Sequence, residues 1–167
     1  LEGSFAPGAI VQSWRDSSFT RLAVERGHRV IASPSEWAYL NRQAGELPLA
    51  QVYAFDPVPR GLDAQQAQRV LGSEVTFWSE HITSGTNLAL MALPRLLAFA
   101  DVVWGAAPRE WAALQLRLDR DHRARLGAMG MAMGPGDRGL PRITIGFDSI
   151  ARQARWQLTD TLAALRV

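Results

Sequence analysis

Two side chains with complementary chemistry lie two positions apart near the middle of the chain. Residues 75–80, with the sequence VTFWSE, begin with types that favour a β-strand. Side chains two apart on a strand point to the same side, so Trp78 and Glu80 would reach one ligand together. An indole platform beside a carboxylate acceptor suits a sugar ring, which has an apolar C–H face and a rim of hydroxyls. The alternative is a core tryptophan beside a solvated glutamate.

Aromatic and polar residues also follow two earlier predicted strands, at 9–14 and 29–33. The first predicted strand ends in Trp14, and the second leads into Tyr39 and Asn41. Active sites of (β/α)8 barrels are built at the carboxyl ends of parallel strands, from the loops that follow them. We therefore expect these side chains to gather at one edge of a sheet.

The elements that would position these residues alternate between strand and helix. A helix capped within residues 16–18 should run to about Arg26 and end at Gly27. Residues 35–62 have no periodic pattern and are predicted to be a long functional loop. Asp63 would cap a short helix through Leu71, stopped by Gly72, before the third strand at 75–80. This order predicts an α/β protein with a parallel sheet.

The remainder is predicted to be helical apart from one short strand. An apolar helix over 88–104 is interrupted by Pro94, and Pro108 would begin another helix to about residue 126. A strand is predicted at 143–145, and Ser149 would cap a last helix with an apolar stripe at Ile150, Ala154, Leu158, Leu162 and Leu165. Three tryptophans in predicted helices are expected to be core residues: Trp104, Trp111 and Trp156.

Composition excludes several classes of function. The 167 residues contain no Cys and no Lys, so disulfides and thiol chemistry are absent from the chain. A net charge of +2, with arginines interspersed among acids, argues against nucleic acid as a partner. No apolar run reaches the roughly 18 residues of a membrane span, so no membrane partner is predicted. The three histidines lack metal-ligand spacing, and we expect neither metal nor cofactor.

Five short motifs resemble, in order and spacing, the family 20 glycoside hydrolases, the β-N-acetylhexosaminidases. They are VQSWR at 11–15, YLN at 39–41, YAFDPVP at 53–59, WSE at 78–80 and PRLLA at 94–98. The resemblance covers roughly residues 9–127. It implies that residues 1–135 are the C-terminal part, about the last three βα units, of a (β/α)8 TIM barrel, with 136–167 as a strand and helix extension.

The resemblance also implies a mechanism and a substrate class. These enzymes remove N-acetylglucosamine or N-acetylgalactosamine from the ends of glycans or chitooligosaccharides with retention of configuration. They use no enzyme nucleophile, because the 2-acetamido oxygen of the substrate attacks the anomeric carbon. An enzyme glutamate protonates the leaving oxygen, and a preceding aspartate orients the acetamide.

By position in these motifs, Tyr39 resembles the tyrosine whose hydroxyl donates to the acetamide oxygen. Trp14 resembles a wall of the acetamide pocket, Trp78 the platform under the terminal sugar, and Glu80 the acceptor for the 4- and 6-hydroxyls. Asn41 stands where the family usually has aspartate. Asn41 with the neighbouring cation of Arg42 would admit a sugar that carries an anionic group near its 6-position. The alternative is that Asn41 bonds a neutral hydroxyl and Arg42 is solvated.

One departure from the family pattern is important. The catalytic pair of the family lies in a His-x-Gly-x-Asp-Glu motif, and nothing in this chain matches it. We therefore expect the chain alone to be inactive, and its partner to be the missing N-terminal part of the barrel or another chain. A non-catalytic carbohydrate-binding half-barrel is the alternative. A doubly wound nucleotide-binding domain is disfavoured, because Arg15-Asp16-Ser17-Ser18 replaces the glycine-rich turn it would need.

Overall fold

A computed structural model of the chain describes residues 5–105 and 108–134, together with the backbone of two strands at 143–147 and 154–158. The chain divides into two compact units, Leu1–Gly136 and Asp137–Val167. The assignment of the first to a catalytic barrel and of the second to an extension stays a prediction.

Helices and strands alternate through the first half of the chain, and helices dominate after it. The elements in order are β1 (Ile10–Ser13), α1 (Ser17–Glu25), β2 (Arg29–Ala32), α2 (Ser35–Ala38), α3 (Leu49–Ala54), α4 (Ala64–Ala67), β3 (Val70–Ser73), a 3₁₀ turn (Ser79–His81), α5 (Gly85–Ala92), α6 (Arg95–Trp104), α7 (Trp111–Arg117), a π-helical segment (Leu118–His122), α8 (Arg123–Ala128), β4 (Ile143–Phe147) and β5 (Ala154–Leu158).

The three strands of the first unit form a parallel sheet in the order β1-β2-β3. Ile10 is opposite Arg29 in the first pair, and Val30 is opposite Val70 in the second. The intervening helices make the βα alternation that the sequence predicts. Among the described residues, β1 and β3 pair on one side only, so both outer edges are open to a further strand.

The first βα turn follows its local sequence signals. Asp16 is the N-cap of α1, and its carboxylate accepts a hydrogen bond from the Ser18 amide at 2.9 Å. Gly27 follows the helix with φ of +85°, a left-handed conformation that glycine adopts without steric cost. The predicted helix and its stop are confirmed here.

The predicted position of the third strand is wrong. The helix capped by Asp63 ends at Ala67, and the Arg69 carbonyl already accepts from the Val30 amide at 2.8 Å. β3 therefore occupies Val70–Ser73, and a register irregularity in its pairing with β2 leaves Leu71 as an extra residue between the paired Val70 and Gly72. Residues 75–78 continue the path after β3, where Thr76 makes one parallel bridge to Tyr39.

The segment from 35 to 62 is not the structureless loop that was predicted, because it contains α2 and α3. These helices have four and six residues, too few for a periodic pattern to be visible in the sequence. Pro34 and Pro48 stand at their N-caps with extended backbone. Phe55, which follows α3, stacks between Trp37 and Phe99 at centroid distances of 5.9 Å each. This aromatic stack joins the segment to α6 and forms the centre of the core.

The predicted break at Pro94 separates α5 from α6, whose axes differ by 51°. In the described part of the chain no individual helix is long and apolar enough to cross a membrane, and only this bent pair taken together passes that test.

The next helix begins at Trp111 rather than Pro108. Trp111 packs against Tyr53 with ring centroids 5.8 Å apart. Trp104 is 87% exposed, so its predicted core role is wrong.

The predicted last helix is wrong where the structure describes it. Ala154–Leu158 is β5, which pairs antiparallel with β4, and β4 extends the predicted strand to Phe147. Both segments alternate apolar and polar or small residues, a two-residue period that competes with the helical spacing used for the prediction. Ser149 and three residues of the proposed stripe, Ile150, Leu162 and Leu165, lie outside the described residues.

Candidate active site at the carboxyl edge of the sheet

An open cleft of about 820 Å³ lies beyond the carboxyl ends of the three parallel strands. It brings together five of the six predicted site residues, and the sixth, Arg42, is not in its lining. The lining residues are Gln12, Trp14, Tyr39, Asn41, Thr76, Trp78, Glu80 and His81.

Each wall of the cleft follows a different strand. Trp14 comes directly after β1, Tyr39 and Asn41 come after β2 and the short α2, and Trp78 comes after β3. Parallel strands place their carboxyl ends at one edge of the sheet, so residues distant in sequence converge there. The predicted convergence holds even though β3 lies five residues earlier than the sequence indicated.

The two tryptophans of the cleft present large apolar surfaces. Trp14 is 51% exposed and Trp78 is 50% exposed. Indoles are highly buried on average, so two half-exposed rings in one cleft form a candidate binding surface. The Arg15 guanidinium lies 5.4 Å from the centre of the Trp14 ring, a cation–π contact that supports this orientation.

Tyr39 stands against Trp78, with ring centroids 6.3 Å apart and planes inclined at 36°. The main chain on either side of Tyr39 is fixed by Thr76, whose amide donates to the Ala38 carbonyl at 2.9 Å and whose carbonyl accepts from the Leu40 amide at 3.1 Å. A phenol ring on a backbone held at both neighbours is well placed to present its hydroxyl in one direction.

Two polar atoms of the cleft residues are buried without a hydrogen-bond partner in the described structure, the Asn41 side-chain oxygen and the Thr76 hydroxyl. A buried polar group left unpaired costs about 1–3 kcal/mol. Binding sites commonly hold such groups because a ligand or an added segment satisfies them. Asn41 therefore offers unused hydrogen-bonding capacity beside Tyr39.

Glu80 and His81 lie in the 3₁₀ turn and not on a strand, so the alternation argument for Trp78 and Glu80 is wrong. Both Trp78 and Glu80 nevertheless line the cleft, because the 3₁₀ turn follows the edge of the cleft. Glu80 is exposed, consistent with a carboxylate available to hydroxyl groups. His81 had no assigned role in the sequence analysis and also lines this rim.

Gln12 is a lining residue that the sequence analysis missed. Its side-chain amide donates to the Glu74 carboxylate across β2, which leaves the amide oxygen of Gln12 as a hydrogen-bond acceptor. Gln12 lies two positions before Trp14, so the two-residue period of a strand could have placed it on the same side. Thr76 was also missed, although it lies two positions before Trp78 and the same two-residue period could have placed it there.

The Arg42 side chain is exposed and lies outside the lining of the cleft. This placement favours the solvated alternative over an anion-binding role, and its contact with substrate stays a prediction. Its main-chain carbonyl has a different function, accepting a hydrogen bond from Arg95 at 2.8 Å. Among the residues described, no three His, Asp or Glu side chains are close enough to hold a metal ion.

Comparison with known proteins identifies the family. Residues 2–107 match the model of the glycosyl hydrolase family 20 catalytic domain. The chain belongs to glycoside hydrolase family 20. Its sequence is 36% identical over 132 residues to a β-hexosaminidase of Porphyromonas gingivalis, covering 71% of this chain and 17% of that protein. A β-N-acetylhexosaminidase of Cellulomonas fimi is 32% identical over 120 residues, covering 63% of this chain and 24% of that protein.

Solved structures of family 20 agree with the fold. The β-N-acetylhexosaminidase of Streptomyces coelicolor superposes with a TM-score of 0.68 at 25% identity, over 80% of this chain and 30% of that one. A Vibrio harveyi exo-β-N-acetylglucosaminidase, solved with N-acetylglucosamine, matches the fold with a TM-score of 0.66 at 24% identity, over 73% of this chain and 21% of that one. The predicted fold class, part of a (β/α)8 barrel, is confirmed. The chain spans about a fifth of the length of the curated relatives above.

Proposed function

We propose that this chain forms one side of the active site of a retaining β-N-acetylhexosaminidase, which removes terminal N-acetylglucosamine or N-acetylgalactosamine. The substrates are glycans or chitooligosaccharides that end in such a sugar. The remaining barrel, supplied by further polypeptide or by a partner chain, would complete the site. One observation carries the proposal: Trp14, Tyr39, Trp78 and Glu80 line a single cleft at the carboxyl edge of the sheet in a family 20 chain.

The chemistry of the cleft suits a sugar ring. Trp78 would support the apolar face of the ring, and Glu80 at the rim would accept hydrogen bonds from outer hydroxyls. Trp14 would enclose the methyl end of the acetamide. Ligand sites in proteins commonly combine an apolar lining with a few fixed polar groups in this way. A volume of about 820 Å³ in an open cleft leaves room for walls from the missing part of the barrel.

The reaction would proceed in two steps. The acetamide carbonyl oxygen forms a bond to the anomeric carbon while the bond from that carbon to the leaving oxygen breaks, and the leaving oxygen takes a proton from an enzyme carboxylic acid. Water then opens the oxazolinium intermediate with overall retention. Tyr39 would donate its hydroxyl to the acetamide oxygen and hold it in line with the anomeric carbon. Such preorganisation of an internal nucleophile reaches effective molarities on the order of 10⁵ to 10⁸ M.

The proton donor and the acetamide-orienting aspartate of the family motif have no counterpart in this chain. General acid catalysis contributes roughly 10²- to 10⁴-fold to a rate. The parallel sheet of the described residues has three strands, fewer than the eight of a closed barrel, and its two open edges are where neighbouring strands would pair. We therefore propose that the 167-residue chain is inactive by itself.

The deciding experiment compares three aryl glycosides with the complete protein: the N-acetylglucosaminide, its N-trifluoroacetyl analogue and the plain glucoside. Fluorine withdraws electron density and weakens the carbonyl oxygen as a nucleophile, so kcat/KM should fall sharply for the second substrate. The plain glucoside has no acetamide and should not be turned over. Equal rates for all three would contradict substrate assistance.

Two further measurements separate the proposal from its alternative. The purified 167-residue chain should give no turnover of the aryl N-acetylglucosaminide, whereas clear turnover would contradict its role as a partial site. Binding of N-acetylglucosamine by the complete protein without hydrolysis would favour the non-catalytic carbohydrate-binding half-barrel.

A further inference from the structure

Arg95 is a buried cation whose hydrogen-bond partners are all main-chain carbonyl oxygens. It begins α6 and is only 3% exposed. Its Nη1 donates to the carbonyls of Arg42 at 2.8 Å and Leu47 at 3.1 Å, and its Nη2 donates to Leu40 at 2.8 Å. Nε donates to the Met91 carbonyl at 3.0 Å, and Nη2 also contacts that oxygen. Among the described residues, no carboxylate forms an ion pair with Arg95.

The location of Arg95 is not explained by the stability of its own helix. A cation in the first turn of α6 faces the positive end of the helix dipole, which is unfavourable. Burial lowers the pKa of the guanidinium to about 10, so the side chain is still charged at neutral pH. A buried charge is tolerated only when hydrogen bonds compensate for lost water. Here the compensation comes from the last turn of α5, through Met91, and from the segment after β2.

Those carbonyls belong to the two segments that carry the cleft residues. Leu40 and Arg42 flank Asn41, so the guanidinium holds the main chain on both sides of a lining residue. Leu40 also directly follows Tyr39, and its amide is bonded to Thr76. Met91 lies in the helix that follows the turn with Glu80. The Arg95 side chain therefore connects the segment after β2 with the segment after β3 through its hydrogen bonds to both.

We propose that Arg95 is a positioning residue, which sets the placement of Tyr39 and Asn41 in the active site without contacting substrate. The inference rests on the function proposed above. A planar guanidinium carries five donors in a fixed fork, and here those donors reach four different carbonyl groups. Lysine keeps the charge but concentrates its donors at one atom, so it would not hold four carbonyls together. We expect the main chain at 40–42 to shift when this fork is lost.

The test uses the complete protein with four variants and an aryl N-acetylglucosaminide as substrate. They are Arg95→Lys, Tyr39→Phe, the double variant of both, and Arg109→Lys as the matched control. Arg109 also donates to two main-chain carbonyls, those of Tyr53 and Phe55, but at the end of α3 and outside the cleft lining. Arg109→Lys should leave kcat and KM within about twofold of the parent.

Arg95→Lys should lower kcat at least tenfold in protein that circular dichroism and a cooperative melting transition show to be folded at the assay temperature, because a displacement of about 1 Å can cost 10²-fold in rate. In the Tyr39→Phe background the same change should lower kcat by a clearly smaller factor than in the parent, since the hydroxyl that Arg95 positions is already absent and only the placement of Asn41 is still affected. A double-mutant cycle of this kind isolates coupling between two residues.

Each other outcome overturns the inference. A folded Arg95→Lys variant with native kcat and KM, or one whose full effect persists in the Tyr39→Phe background, would make Arg95 structural only. If Arg95→Lys does not fold, Arg95→Met is the second variant, because replacing buried ionic groups by apolar residues is often compatible with folding. Failure of both to fold would also mean a purely structural role. An inactive parent protein would instead refute the proposed function, and this inference with it.

Discussion

Tyr39 and Thr76 lie 37 positions apart in the sequence and are joined by a parallel bridge, with the Thr76 amide and carbonyl bonded to the residues on either side of Tyr39. The bridge continues the parallel pairing of β2 and β3 beyond the ends of both strands. It fixes the main chain of Tyr39 at the carboxyl edge of the sheet and places the Tyr39 ring against Trp78. The site therefore depends on tertiary pairing at the residue whose hydroxyl we assign to the acetamide.

The first prediction concerns that hydroxyl. In the complete enzyme, Tyr39→Phe should lower kcat by roughly 10²- to 10³-fold, as for the loss of one preorganised donor in comparable sites. The fold should not change, because the ring and its main-chain bridge remain. The matched control is Tyr53→Phe, which removes a hydroxyl bonded to Asp101 at 3.2 Å outside the cleft. Equal kcat for parent and Tyr39→Phe would mean that Tyr39 only packs.

The second prediction concerns the sugar platform. Trp78→Ala should raise KM for the aryl N-acetylglucosaminide about tenfold, equivalent to about 1.4 kcal/mol of lost binding. The effect should be larger on KM than on kcat, because the platform contacts the ring before and during reaction. Trp104→Ala is the control, since Trp104 is also an exposed indole but is not part of the cleft. The same KM change in both variants would contradict a specific platform.

The third prediction distinguishes Asn41 from its neighbour Arg42. Asn41→Asp places a carboxylate in the cleft lining and should lower kcat/KM for a 6-sulfated N-acetylglucosaminide more than for the neutral sugar, because like charges repel. Arg42→Leu should affect both substrates equally, since this side chain lies outside the lining.

The measurement is the ratio of kcat/KM for the two substrates in each variant. A selective loss of the sulfated substrate in Arg42→Leu would instead support direct contact between Arg42 and the anionic group, the first of the two interpretations from sequence. An unchanged ratio in Asn41→Asp would remove Asn41 from the contacts to the 6-position.

The fourth prediction concerns the pH dependence of α1. Hydrogen bonds from the hydroxyl and amide of Ser18 hold the pKa of the Asp16 carboxyl below its usual value of 3.8. A carboxyl whose folded-state pKa is lowered contributes stability above its unfolded pKa, and that contribution is lost as pH falls through the folded value. Protection of α1 amides from hydrogen exchange should therefore decrease on acidification below about pH 4.

Asp16→Ser is the matched comparison, because serine is also a good N-cap and does not titrate. Relative to this variant at the same pH, the parent should lose its advantage in protection as the pH falls below about 4. A constant difference between the two proteins over this range would show that the Asp16 charge does not support the helix.

Much of the site was predictable because family motifs and strand ends are local properties of the sequence. Trp14 follows a strand that its own residues specify, and the helix after it begins at a cap and ends at a glycine. The prediction that Trp14, Tyr39 and Trp78 meet required only that parallel strands share a carboxyl edge. The family resemblance then supplied the chemistry, and the match over residues 2–107 confirmed the family.

Tertiary structure decided the features that the conformational preferences of single residues could not determine. β3 forms at Val70–Ser73 rather than over the better strand formers after it, because pairing with Val30 determines which residues enter the sheet. Arg95 lies in the motif at 94–98, but its hydrogen-bond partners leave no sequence signal, since they are carbonyl groups that every residue carries. Sequence by itself determined which side chains are available for chemistry, and long-range main-chain hydrogen bonding decided which of them share one cleft.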